Sequence, residues 1–272
     1  MNVQSNSYTF IYASVMVIVV AALLAFVALS LQPQQQKNID TEKKQNILAS
    51  VGIKSTPLDA EKLFNQYVKE SFVMNASGEK NENKAFDVNL VTEVKLISEM
   101  RKAENELAKN QGDKNTLEKL LTELKTKRQL PVYHCIKNDT NFYVFPLRGK
   151  GLWGPIWGYI ALYDDFNTIY GAVFDHKGET PGLGADIDKP WFQEPFRKKT
   201  IFDESGNFVS IRVYKGGNGA AKLAGDTKHG VDAISGGTIT SKGLEAMLHD
   251  CLIDYLPYIK QQQTSDTTNV IK

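Results

Sequence analysis

The longest apolar stretch of the chain lies near its start, where no charged residue stands between Tyr8 and Leu31. As a helix rising ~1.5 Å per residue it reaches ~36 Å, more than a hydrocarbon core of ~30 Å. Met1–Ser7 holds no Lys or Arg, and the apolar run is longer than that of a secretory signal, so the pattern predicts an uncleaved single-pass anchor. Gln32–Gln36 is polar and contains Pro33, which is expected to stop the helix and leave a short tether.

Past the tether the pattern alternates between helical and polar stretches. Lys43–Val51 reads as a brief helix, and a second opens near Pro57 and Asp59 with Leu58, Leu63, Phe64, Tyr67 and Val68 on one stripe. Asn75–Lys84 is polar and predicts a loop. Residues 88–128 are charged and helix-prone, with Leu90, Val94, Ile97 and Leu107 as a thin stripe broken at Gly112. Asn115 followed by Glu118 resembles a capping box for a helix carrying Leu117, Leu120, Leu121 and Leu124. A helical hairpin leaning on the main domain is expected, with no chemistry attached.

From Pro131 the period shortens to that of strands. Val132–Lys137 and Asn141–Phe145 flank the turn signal Asn138-Asp139, and Trp157–Tyr163 and Thr168–Phe174 flank Asp164–Asn167. Phe208–Tyr214 alternates apolar and polar positions. Leu244, Met247, Leu248, Cys251, Leu252, Tyr255, Leu256 and Ile259 then recur at steps of three and four, the apolar face of a closing helix capped by Thr240 or Ser241. The expected fold is α+β: a single N-terminal transmembrane helix followed by an antiparallel sheet with packed helices. The boundaries read 1–36 for anchor and tether, 37–76 for a helical N-terminal part, 77–128 for a charged insert, 129–260 for the sheet domain and 261–272 for a polar tail.

Composition narrows the function. The formal net charge is +1, which offers no basic surface and argues against nucleic acid as a partner. Cys135 and Cys251 make no metal spacing; Cys251 falls on the apolar helix face, and a disulfide between the two is left open. His176 and His229 lack spaced carboxylate or thiol partners and read as non-ligands. No Rossmann glycine signature follows a strand, so a freely bound dinucleotide is not expected.

The candidate chemistry sits in glycine-rich segments. Asp232-x-x-Ser235-Gly236-Gly237-Thr238 precedes the closing helix; its glycines permit close approach, and the helix N-terminus favours a phosphate. Leu152-Trp153-Gly154 and nearby Trp157 could wall a flat apolar ring. Glu179-Thr180-Pro181-Gly182-Leu183-Gly184-Ala185 is a tight loop in which positive φ is expected at Gly182 and Gly184, with Glu179 either at the ring or solvated. Lys215, ahead of Gly216-Gly217, could bring a cation to a phosphate or stand plainly on the surface.

The Asp232–Thr238 segment resembles the flavinylation motif of FMN-binding domains in respiratory redox complexes, with Gly237 where Ala is commoner. Gly149-x-Gly151-Leu152-Trp153, Glu179–Gly184, Val213-x-Lys215-Gly216-Gly217 and Gly230–Thr238 stand in the order seen in the C-subunit family of the sodium-translocating NADH:quinone reductases. The likeness covers most of the chain except roughly 77–128. It implies that 129–260 is an FMN-binding domain, with FMN joined to Thr238 by a phosphoester that a flavin transferase installs from FAD. The cofactor-binding residues implied are Thr238, Ser235, Gly236, Gly237, Asp232, Leu152, Trp153, Gly154, Glu179, Thr180, Pro181, Gly182, Leu183, Gly184 and Lys215, with no catalytic acid or base. The FMN would relay single electrons from an iron–sulfur centre towards the flavin of a neighbouring membrane subunit and quinone. The alternatives are the G subunit of the ferredoxin:NAD oxidoreductase complex and an anchored domain without redox function.

Orientation divides the two lines of reading. Lys37, Lys43 and Lys44 follow the apolar run and no basic residue precedes it, which by flank charge alone keeps the bulk of the chain in the cytoplasm. The family places its flavin domain on the periplasmic side of the bacterial inner membrane, and a large domain can cross regardless of flank charge. The expectation follows the family.

Overall fold

In the computed structural model, residues 5–81, 84–109 and 111–269 are described. They form two compact units, Met1–Lys44 and Gln45–Lys272. The first is helical from Asn6 and belongs to α1 (Asn6–Ser50), which does not stop at Pro33 as the sequence pattern suggests. Proline removes one N–H from the ladder, but its fixed φ is helical. Side chains one turn apart support the backbone beyond it: Gln34 donates to Asn38, Gln36 to Asp40, and the Thr41 hydroxyl to the Lys37 carbonyl. The anchor and the expected tether are therefore one helix.

The second unit is built on a sheet. After the last turn of α1 comes α2 (Ala60–Tyr67), then a strand, β1 (Val68–Met74), where the sequence pattern suggests only helix. A turn leads to the two-residue β2 (Lys80–Asn81). The charged excursion is a hairpin of α3 (Leu90–Ala108) and α4 (Lys114–Lys127). The cap of α4 is Asp113, whose carboxylate accepts from the Thr116 N–H, and not Asn115. Leu117, Leu121 and Leu124 join Met100 and Ala103 in a small core of their own, while Leu120 is exposed.

Four long strands follow: β3 (Leu130–Lys137), β4 (Thr140–Lys150), β5 (Pro155–Tyr163) and β6 (Ile169–His176). All neighbours are antiparallel, in the order β2-β1-β3-β4-β5-β6. Asn138 and Asp139 have φ of 49° and 57°, as a tight turn matched to strand twist requires. After short α5 (Pro190–Gln193), the stretch 208–211 lies outside the strands. Only β7 (Arg212–Tyr214) forms, paired in parallel with β8 (Gly230–Asp232) beyond α6 (Ala220–Leu223). Ser210 has a φ of 57°, which breaks the strand that the alternation suggests.

The chain ends in α7 (Thr238–Asn269), which continues through the expected polar tail as far as the described residues go. Residues alternate between two cores on opposite faces of the sheet. Val132, Phe145, Leu147, Ile156 and Ile160 meet the stripe of α7 from Leu244 to Ile259, whereas Tyr133, Cys135, Val144 and Ala161 meet Ile47 and Leu48 and pack with α2. Cys251 and Cys135 thus lie on opposite faces, and both are free thiols. Buried Arg128 joins the insert to α7: its Nε lies 2.7 Å from Glu93 and its Nη1 2.5 Å from Asp254. Burial pushes the Glu93 carboxyl up despite that contact.

Candidate functional site

Three connections meet at one end of the sheet. The β4–β5 hairpin loop supplies Leu152 and Trp153, the segment after β6 supplies Glu179, Thr180, Leu183 and Gly184, and the start of α7 supplies Gly236–Thr240. Together they line a cleft of about 230 Å³. That is smaller than the ~300–1,000 Å³ of sites that engulf a drug-sized ligand, so the cleft suits one end of a larger cofactor.

Thr238 is the first residue of α7. The leading N–H groups of a helix have no partner within it and carry the positive end of its dipole, a setting made for a phosphate. Gly236 ahead of it has a φ of 75°, and a Cβ there would lie 2.5 Å from Leu183 Cδ2. The turn is fastened from behind by the Ser241 hydroxyl, which accepts from the Ile234 N–H. Ser241 and Thr240 lie inside the helix, 0% and 2% exposed, and neither is its cap. The mouth of the cleft is apolar: Leu152, Leu183 and Ile239 are exposed, and Trp153 is 70% exposed.

Glu179 stands in the wall of the cleft and is not solvated. It is 4% exposed. Its Oε1 accepts from the backbone N–H groups of Trp153 at 2.8 Å and Gly154 at 3.3 Å, and its Oε2 accepts from the Thr240 hydroxyl at 2.5 Å. Burial pushes its carboxyl up, but the Thr240 hydroxyl and the N–H groups of Trp153, Gly154 and Leu152 outweigh it and hold the pKa below the ordinary carboxylate range.

The remaining expected residues divide. Ser235, Gly154, Pro181 and Gly182 adjoin the lining residues without lining the cleft themselves. Gly182 has the anticipated positive φ, at 75°; Gly184 does not, and matters instead because a Cβ there would strike Thr240. Asp232 faces α6, where its carboxylate accepts from the N–H groups of Gly219 and Ala221. Exposed Lys215 and half-buried Trp157 are not among the lining residues; Trp157 packs on the opposite core, beside Arg148. His176 Nδ1 accepts from the Glu179 N–H.

Sequence reasoning misses two lining residues: Thr240, read only as a cap, and Ile239. A signal for Ile239 exists: it stands five residues before Leu244, roughly 140° around the helix from the buried stripe, an apolar residue with no core to face.

A flat, largely apolar ring with an anionic tail fits this arrangement. The FMN-binding domain family matches residues 151–253, which brings all three connections into one match. The chain is 28% identical over 269 residues to the C subunit of a Na(+)-translocating NADH-quinone reductase from Neisseria meningitidis serogroup A, covering 96% of each chain. With the corresponding protein of Vibrio vulnificus it shares 30% identity over 230 residues, 84% of this chain and 83% of the relative. The crystal structure of the C subunit from Parabacteroides distasonis is 38% identical, with a TM-score of 0.65 over 84% of this chain and 96% of that one. Fold, cleft and match define a membrane-anchored FMN-binding protein. The chain belongs to the C-subunit family of the Na(+)-translocating NADH-quinone reductases.

Proposed function

We propose that Thr238 carries FMN through a phosphoester and that the first turn of α7 holds the phosphate while Leu152, Trp153, Leu183 and Ile239 flank the ring. The observation that carries this reading is the position of Thr238: the opening residue of a long helix and a wall of an apolar cleft. The protein is an FMN-binding, electron-transfer subunit of the Na(+)-translocating NADH-quinone reductase complex and makes a single membrane pass through α1. FMN supplies the redox chemistry. The chain supplies position, an apolar environment and a fixed carboxylate at the cleft wall.

Attachment would join Thr238 Oγ to the FMN phosphorus of FAD as the pyrophosphate bond breaks and AMP leaves; this is the work of a flavin transferase. Electrons would enter from an iron–sulfur centre and leave towards the flavin of a partner membrane subunit, with the domain on the periplasmic side. Peptide mass mapping after co-expression with a flavin transferase tests the attachment. FMN mass on the Thr238 peptide, absent from Thr238→Ala, is expected; flavin retained in that variant, or mapped to Thr240 or Ser241, overturns it.

A further inference from the structure

Glu179 is the best-connected polar side chain of the cleft, and its bonds run to two backbone N–H groups and a hydroxyl. A carboxylate accepts through both oxygens, and here both are used by donors that lie far apart in the sequence. The Trp153 N–H comes from 26 residues before it and the Thr240 hydroxyl from 61 residues after it. The surrounding backbone is cleared for this group. A Cβ on Gly151 would lie 2.5 Å from Glu179 Oε1, and one on Gly184 would lie 2.7 Å from Oε2.

The clasp has a task. Trp153 is largely exposed beside an exposed Leu152, and burial of such apolar side chains is favourable. A free hairpin loop would therefore collapse onto apolar surface. Two N–H groups held on a buried carboxylate keep this loop upright, and the Thr240 bond ties that carboxylate to the turn that presents Thr238.

We propose that Glu179 is a positioning residue of the flavin site, not a ligand of the flavin: its two oxygens lock the Leu152–Gly154 wall to the first turn of α7. This rests on the reading that FMN is held at Thr238. Glu179→Gln removes the charge with little change of size and leaves one acceptor oxygen, so the hold on the Trp153 and Gly154 N–H groups weakens even where the amide NH2 donates back to the Thr240 hydroxyl. Thr240→Val breaks the helix end alone.

The test uses the full chain in detergent. The attachment itself is read first, as FMN mass on the Thr238 peptide of the unsubstituted protein; its absence there defeats the attachment reading and leaves the clasp to be judged on flavin-free Thr238→Ala protein. In that protein the Trp153 and Gly154 amide protons should resonate downfield, as carboxylate-bound amides do, and should move upfield with Glu179→Gln. In the flavinylated protein, iodide quenching of flavin fluorescence should rise several-fold in Glu179→Gln and in Thr240→Val. The double variant should rise no further than Glu179→Gln, because the two residues act as one unit. Amide shifts and quenching unchanged in folded Glu179→Gln overturn the proposal. Altered flavin with unmoved amides also overturns it, since Glu179 would then act on the flavin directly. Should Glu179→Gln fail to fold, Thr240→Val decides: unchanged quenching overturns the clasp.

Discussion

The Thr240 hydroxyl donates to Glu179 Oε2 across 2.5 Å, joining the first turn of the last helix to a loop that follows β6. Folding lowers the pKa of that carboxyl. The stability it contributes is therefore fully present above the carboxyl's unfolded value and is lost as pH falls through the folded one. Denaturant unfolding followed by near-UV circular dichroism should show the native protein losing stability as pH drops below about 4.5. Glu179→Gln should lose less over the same range. Equal acid sensitivity in the two proteins would remove Glu179 from the account.

Gly182 and Gly184 stand two residues apart and should behave differently. Gly182 has a φ of 75° and open space around its Cβ position, so Gly182→Ala should cost about 1–3 kcal/mol of backbone strain and leave flavin exposure unchanged. Gly184→Ala places a methyl against Thr240 and Glu179 and should increase iodide quenching of the flavin. The reverse pattern would mean that φ, and not contact, governs the loop.

Arg128 is 1% exposed between Glu93 and Asp254. Arg128→Met leaves two carboxylates buried without a cation and should cost about 3–5 kcal/mol in thermal or urea unfolding. Replacing all three with apolar residues should recover most of that loss. A small effect of the single change would show that water reaches the site and that the insert is loosely joined.

The domain after α1 is expected outside the cytoplasm despite the lysines that follow the apolar run. A C-terminal alkaline phosphatase fusion should be active and a C-terminal green fluorescent protein fusion dark. A signal from the cytoplasmic reporter alone would show that flank charge decides orientation here.

Local features are the ones legible in the chain. The Asn138-Asp139 turn and the stripe of α7 each rest on residues close in sequence, and each stands where the pattern places it. Features that depend on distant partners are not legible in this way. Val68–Met74 has its apolar residues bunched at one end, with Lys69, Glu70 and Ser71 before them, and it becomes a strand by pairing with β3 beyond the insert. The clasp at Glu179 is hidden for the same reason, because its donors lie in two other segments. Pro33 misleads in the other direction: a proline that starts a loop in most contexts is carried inside α1, where the lost N–H and the clash with the carbonyl one turn back stay local.

The pairing of β1 with β3 has a consequence for the order of events on the ribosome. Roughly 55 residues separate Met74 from Leu130, and bringing ends together across such a length carries an entropic cost that grows only as the logarithm of the loop. Time is the larger concern. At about 5–20 residues per second, Phe72, Val73 and Met74 emerge several seconds before β3 exists. The hairpin of α3 and α4 has a small core of its own, so it can condense during that interval and shorten the span still to be closed. The charged insert would then act during synthesis as a spacer that folds first and delivers β3 to a strand already waiting.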